Sequence, residues 1–266
     1  MRKFVSLCMG IFMLSLLLVG CGNSAQQKEI KLGATSGPHA EIAEAVAKEA
    51  QKEGLNVKVV EFSDYLTPDQ ALADGNVDIV GYQHEPFLQN FNKEKQTDLV
   101  PLDPIYLMPM GVYSDKYHSI AEIPDGAKVA VPNDPSNEGR GLQLLQKAGL
   151  IRLKDGVGYK ATLADITANP KHLQFVELDA AQLPRSLSDV DAAAITMNYV
   201  MSSGIDVKKQ GIYLEDASEP IAVVILATRA QDKENPLYKK LAEVYHSQAV
   251  QDFINEQYKG TITPAP

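Results

Sequence analysis

From residue 29 onward the apolar positions alternate between two rhythms. The runs "EIKLGAT" (29–35), "NVKVVEF" (56–62) and "VDIVGYQ" (77–83) are short and apolar-rich, and they read as strands. Between them, "GPHAEIAEAVAKEAQKEG" puts Ile42, Val46 and Ala50 on one helical face and stops at Gly54. "TPDQALADG" predicts a second, shorter helix. This β-α-β-α-β order predicts an α/β fold, with a parallel sheet covered by helices. Near Tyr106 to Ser114 the pattern becomes extended, and after "IAEIPDG" a second set begins. It comprises strand "AKVAVP", a helix from Ser136, strand "LQFVEL", helix "AAQLPRSLSD" and strand "VDAAAITM". A last block holds strands "GIYLED" and "EPIAVVILATR", then helices from Pro236 to Tyr258. Two α/β units joined by extended crossovers predict two lobes with a cleft between them. The first lobe is expected to take residues 30–112 and 203–266, and the second 113–202.

Residues 1–20 follow neither rhythm. Arg2 and Lys3 precede the apolar run "FVSLCMGIFMLSLLLVG", which is too short and wrongly flanked for a spanning helix and reads as a signal peptide. Its end, Leu18-Val19-Gly20-Cys21, resembles the bacterial lipobox. That resemblance implies cleavage before Cys21 and an N-palmitoyl, S-diacylglycerol cysteine as the new terminus. Residues 21–29 then serve as lipid anchor and tether, small and polar in composition. Cys8 leaves with the signal and Cys21 is consumed by lipid, so the mature chain has no disulfide.

With 45% apolar and 22% charged residues in its full length, the chain can build a substantial core. Losing Arg2 and Lys3 takes the formal charge from −9 to −11. So acidic a chain is a poor nucleic-acid partner, and its membrane attachment would come from lipid rather than a basic patch. His39, His84, His118, His172 and His246 are scattered without metal-ligand spacing. "QHEPF" lacks the second histidine of a zincin, and no G-x-S-x-G elbow occurs. "GVGYKA" mimics a dinucleotide fingerprint without a clear strand before it. The motifs therefore give no expectation of an enzyme, a cofactor or a metal site.

Ligands in such folds bind beyond the carboxyl ends of the strands, which here lie near Phe62, Tyr82, Pro132 and Met197. In "VPNDPSNEGRGLQLLQKAGL", Pro132 and Pro135 stiffen a turn, Ser136 is the expected N-cap, and Arg140 falls in the opening of the helix. Free N–H groups and a guanidinium together attract an anion, and the guanidinium fork matches a carboxylate. The alternative is a surface arginine paired with Glu138 or Asp134.

Three long blocks carry a family resemblance: "VPNDPSNEGRGLQLLQKAGLIRLKDGVG", "EFSDYLTPDQALADGNVDIVGYQHEPFL" and "NPKHLQFVELDAAQLPRSLSDVDAAAITMNYV". Their order and content are similar to the NlpA-type lipoproteins, the methionine-binding components of ABC importers. The resemblance implies a two-lobed, type II periplasmic-binding-protein-like fold, anchored at the extracytoplasmic face of the cell membrane. It implies methionine or a related amino acid as ligand, and an ABC permease with its ATPase as partners. It assigns Arg140, Asn137 and Asn198 to the ligand's carboxylate and backbone, and Phe62, Tyr65, Tyr82 and His84 to its side chain. Ser63 and Met108 depart from the commoner pattern, which leaves the side-chain pocket open. The residue chemistry points the same way, because a polarisable thioether packs well against aromatic edges. Ordinary core packing for Tyr65, a structural role for His84 and a capping role for Asn198 remain the plainer readings. Another apolar amino acid, a methionine-containing dipeptide, or a surface adhesin or sensor role are the functional alternatives.

Cys21→Ala is expected to leave an unlipidated precursor, checked by labelling with palmitate; label on the variant would contradict the assignment. The fragment from Gly22 onward is expected to keep its ligand affinity in calorimetry.

Overall fold

The computed structural model describes residues 28–216 and 219–265, so the signal segment, Cys21 and most of the tether lie outside the described residues. The chain begins with β1 (Ile30–Thr35), α1 (Pro38–Lys52), β2 (Val57–Phe62), α2 (Thr67–Ala73), β3 (Ile79–Gln83), α3 (Glu85–Lys95) and β4 (Leu99–Leu107). It then enters β5 (Met110–Tyr113), β6 (Lys128–Pro132), α4 (Pro135–Lys147), β7 (Arg152–Leu153), β8 (Ile166–Ala168) and β9 (Gln174–Leu178). Next come α5 (Leu183–Ser186), β10 (Ala192–Thr196), α6 (Met197–Ser202), α7 (Val207–Gln210) and β11 (Gly211–Leu214). The last elements are β12 (Val223–Arg229), α8 (Pro236–Tyr245), α9 (Gln248–Tyr258) and β13 (Thr263–Pro264).

The strands form two main sheets, ordered β13-β4-β12-β3-β1-β2 and β11-β5-β10-β6-β9, and β7 pairs with β8 alone. Each sheet contains the parallel set that the βα alternation predicts: β2, β1 and β3 in one, β9, β6 and β10 in the other. Each also carries antiparallel strands, β12 beside β3 and β5 beside β10. The sheets are therefore mixed rather than purely parallel. A strand that arrives from the other lobe has no crossover helix to reverse it, so it enters antiparallel.

The chain leaves the first sheet after β4 and returns to it after β11, so it crosses between Leu107 and Met110 and again between Leu214 and Val223. The expected lobe boundaries at 112/113 and 202/203 differ from this. "GIYLED" shows a strand pattern but not a partner, and it pairs antiparallel with β5 in the second sheet instead of returning to the first. The helix α3 was not among the expected elements; Pro86 sits in its first turn, where a missing N–H costs no hydrogen bond. Gly158 lies in a 3-10 turn after β7 rather than at the start of an α-helix, so "GVGYKA" lacks the context of a dinucleotide site.

One hydrophobic cluster runs through both lobes. Ile42 and Val46 of α1 share it with Ile195 of β10 and with Met197 and Val200 of α6. A second cluster packs Leu142 and Leu145 of α4 under Val129, Val131 and Val112 of the second sheet. The lobes are thus packed against each other near α1 and α6, and the cleft opens beside that contact.

Gly139 shows how closely α4 is seated. A Cβ at this position would stand 2.2 Å from the carbonyl oxygen of Tyr159. Backbone cannot yield as a side chain can, so Gly139→Ala is expected to destabilise the fold by roughly 1–3 kcal/mol or more. Urea unfolding checks this, and an unchanged midpoint would contradict the packing.

Candidate functional site

The helix α4 begins one residue earlier than the sequence suggests. Asp134, not Ser136, is its N-cap, accepting from the Asn137 backbone N–H at 2.9 Å and from the Ser136 hydroxyl at 3.0 Å. A carboxylate cap satisfies helix N–H groups and complements the dipole. Burial pushes the Asp134 carboxyl up, and these hydrogen bonds pull against it. With the helix start already occupied by a carboxylate, Arg140 falls in the second turn, and its side chain is 4% exposed.

The guanidinium meets a residue that the sequence did not single out. Arg140 Nε donates to Glu215 Oε1 at 3.1 Å and to Oε2 at 3.2 Å, and Nη2 donates to Oε2 as well. The other Nη2 hydrogen goes to the Met108 carbonyl at 2.8 Å. Glu215 also accepts from the Met110 backbone N–H at 3.0 Å. Neither Glu138 nor Asp134 is the partner: Glu138 instead accepts from the Leu163 backbone N–H at 3.0 Å. Of the five guanidinium N–H groups, Nε and both Nη2 hydrogens are engaged; among the described residues no hydrogen bond uses Nη1. The two-pronged edge expected for a ligand carboxylate is therefore filled by Glu215, and Nη1 is the nitrogen left for another acceptor.

Arg140 lines a small, partly open cavity between the lobes. Tyr65, Tyr82, His84 and Asn137 line it too, four of the residues expected at the site. Tyr65 is ringed by aromatics, with centroids 4.7 Å from Tyr199, 6.0 Å from Tyr82 and 6.0 Å from Phe87. Its hydroxyl lies 2.8 Å from Thr196 Oγ1 in the opposite lobe. His84 Nε2 lies 3.1 Å from Asn137 Oδ1, and the Phe87 backbone N–H donates to His84 Nδ1 at 3.2 Å. The Asn137 amide nitrogen is already committed to Asp134. Both histidine contacts therefore agree on one tautomer, with the proton on Nε2. Burial, aided by the Arg140 charge, lowers the His84 pKa to about 3, so this ring is neutral. Burial does the same to His39, also in the cavity wall, whose Nδ1 lies 2.6 Å from the Tyr106 hydroxyl.

Two expected residues stand elsewhere. Phe62 does not line the cavity; it packs in the cluster of Leu72, Val77 and Val80. The strand it ends, β2, is the sheet's edge, so the loop after it, not the strand end, brings Tyr65 to the cleft. Asn198 is fully buried and does not line the cavity, with Nδ2 3.4 Å from Thr35 Oγ1, and Oδ1 has no partner among the described residues. Its helix is capped by Thr196, so Asn198 is not the cap. Thr196 and Gln83, which do line the cavity, end β10 and β3 and were within reach of the strand-end rule. Glu215 had no such signal, being 75 positions from Arg140. Among the described residues no group of three or more His, Cys, Asp or Glu is placed to hold a metal ion.

The family model for the NlpA lipoprotein matches residues 30–266. The chain is 42% identical over 250 residues to the D-methionine-binding lipoprotein MetQ of Escherichia coli K12, covering 92% of each. A nutrient-binding protein from Burkholderia cenocepacia, solved bound to methionine, superposes with a TM-score of 0.86 at 47% identity, covering 89% of this chain and all of that one (100%). A periplasmic substrate-binding protein of an ABC transporter from Coxiella burnetii superposes with a TM-score of 0.85 at 41% identity, covering 89% of this chain and 100% of the other.

Removing the arginine would strand Glu215 in a dry site. Arg140→Ala is expected to cost about 3–5 kcal/mol of stability, and adding Glu215→Gln to recover a large part of it. Denaturant unfolding of Arg140→Ala and of the double variant measures this; an Arg140→Ala protein as stable as the parent would contradict the pairing.

Proposed function

We propose, from the premise that this chain belongs to the NlpA lipoprotein family, that its cleft captures methionine and presents it to an ABC importer. The observation that carries this reading is the cavity itself, with an aromatic wall at one side and a pre-neutralised arginine at the other. The Arg140–Glu215 pair has no net charge, so the site suits a ligand that is itself neutral overall, such as an amino-acid zwitterion. The ligand carboxylate accepts from Arg140 Nη1. The thioether lies against Tyr65, Tyr82 and Phe87, where sulfur–ring contacts add about 0.3–1.5 kcal/mol each. Neutral His84 and His39 keep the wall free of charge that would favour an acidic side chain.

Closure buries the ligand by bringing the lobes together. The bonds from Tyr65 to Thr196 and from His84 to Asn137 cross the cleft, as does a 3.4 Å contact from the Tyr199 hydroxyl to the Ser63 carbonyl. Binding without chemistry then hands the ligand to a permease and its ATPase. Among the described residues no helix is long and apolar enough to cross a membrane. Attachment through a lipid on Cys21, at the extracytoplasmic face, completes the reading.

Isothermal calorimetry tests it. Methionine is expected to bind best, with norleucine and leucine weaker by roughly 1–3 kcal/mol per methylene-sized change, and lysine and glutamate to fail. Methionine amide is expected to bind about tenfold to a hundredfold more weakly, the worth of one charge-assisted hydrogen bond. Equal affinity for lysine and methionine, or for methionine and its amide, would contradict the site.

A further inference from the structure

Beneath the cavity wall, two buried oxygens lack partners. Asp69, on α2, is fully buried, and its Oδ1 accepts from Gln83 Nε2 at 2.6 Å. Asp69 Oδ2 and Gln83 Oε1 have no hydrogen-bond partner among the described residues. Both are acceptors as written, and buried acceptors without donors are costly. A single proton supplies the donor that both lack. A carboxylic acid facing a primary amide forms a ring of two hydrogen bonds, the amide N–H to one oxygen and the acid O–H to the amide oxygen.

We propose that Asp69 is the positioning residue for Gln83: as a neutral acid it donates Oδ2–H to Gln83 Oε1 while Oδ1 accepts Gln83 Nε2–H, fixing that amide in the cavity wall. The surroundings favour the neutral form. The elements packed against α2 are β1, β3, β4 and β12. From β3 comes Tyr82, whose hydroxyl donates to the Tyr65 carbonyl. From β12 comes Arg229, whose donors go to the Leu72 and Val77 carbonyls and to Asp232 and Asp78. From β4 comes Asp103, held by His246. On β1 the only ionisable residue is Lys31, which is exposed. Just after α2, Asp74 accepts from Gln70, and in the loop before it Asp64 accepts from the Leu66 and Thr67 backbone N–H groups. Among the described residues on these elements no cation is left to compensate an Asp69 carboxylate. Burial accordingly pushes the Asp69 carboxyl up to about 7, with only the Gln83 and Tyr82 contacts pulling it down.

The sign follows from linkage. A carboxyl whose pKa is raised from 3.8 to about 7 in the folded state loses stability as pH rises across that window, and the loss is complete above it. Asp69→Asn is the neutral isostere: its amide can make the same ring with Gln83 at every pH.

Three readouts decide. In infrared spectra of protein carrying labelled aspartate, the wild type is expected to show the carbonyl stretch of an un-ionised carboxyl near neutral pH, absent from Asp69→Asn. In thermal unfolding, the variant is expected to match the wild type near about pH 4 and to exceed it increasingly up to about pH 7. In calorimetry with L-methionine, the wild type is expected to lose affinity above about pH 7, by up to about tenfold per pH unit, relative to the variant. This last arm rests on the methionine reading; if neither protein binds methionine, that reading fails, while the infrared and unfolding results still judge Asp69. No un-ionised carboxyl band, or an Asp69→Asn variant that fails to fold or is less stable than wild type at neutral pH, would overturn the proposal.

Discussion

The buried ion pair between Arg140 and Glu215 governs the rest of the site. It joins α4 of the second lobe to the residues on both crossings, because the same guanidinium also holds the Met108 carbonyl and the same carboxylate holds the Met110 N–H. Two charges taken out of water repay their desolvation only with full hydrogen bonding. Here each partner has additional bonds to backbone, which is the condition for such a pair to persist. The position of Arg140 in the cavity wall and the path of the chain between lobes are consequently fixed by one contact.

Its second consequence is electrostatic. An unpaired arginine would invite any anion; a neutralised one offers Nη1 and little net field. Around it the titratable groups that line the cavity are held neutral by burial: His84 and His39 are far below their usual range and Tyr65 and Tyr82 above theirs. In the proposed reading, selectivity rests on hydrogen-bond geometry and on the aromatic wall rather than on charge. The same logic extends to Asp69, the buried acid one layer out, which the site tolerates best without its charge.

Much of this was legible along the chain. The parallel βα sets, the two lobes, Tyr65, Tyr82, His84, Asn137 and Arg140 follow from strand-end positions and the family resemblance. What failed did so for identifiable reasons. Strand periodicity shows which residues alternate but not which strand they pair with, so "GIYLED" was placed in the wrong lobe. Ser136 is the cap expected from the sequence, but Asp134, two residues earlier, takes that place, as the hydrogen bonds show. Phe62 ends a strand as Tyr82 nearly does, but β2 lies at the sheet edge and β3 inside it. Glu215 and Asp69 carry no local signal at all, because their roles depend on partners brought together by the fold.

A crystal structure of the protein with methionine bound tests the central claim most directly. The account predicts the ligand carboxylate on Arg140 Nη1, with Glu215 still seated on Nε and Nη2. A carboxylate forked across Nε and Nη2, with Glu215 displaced, would contradict it.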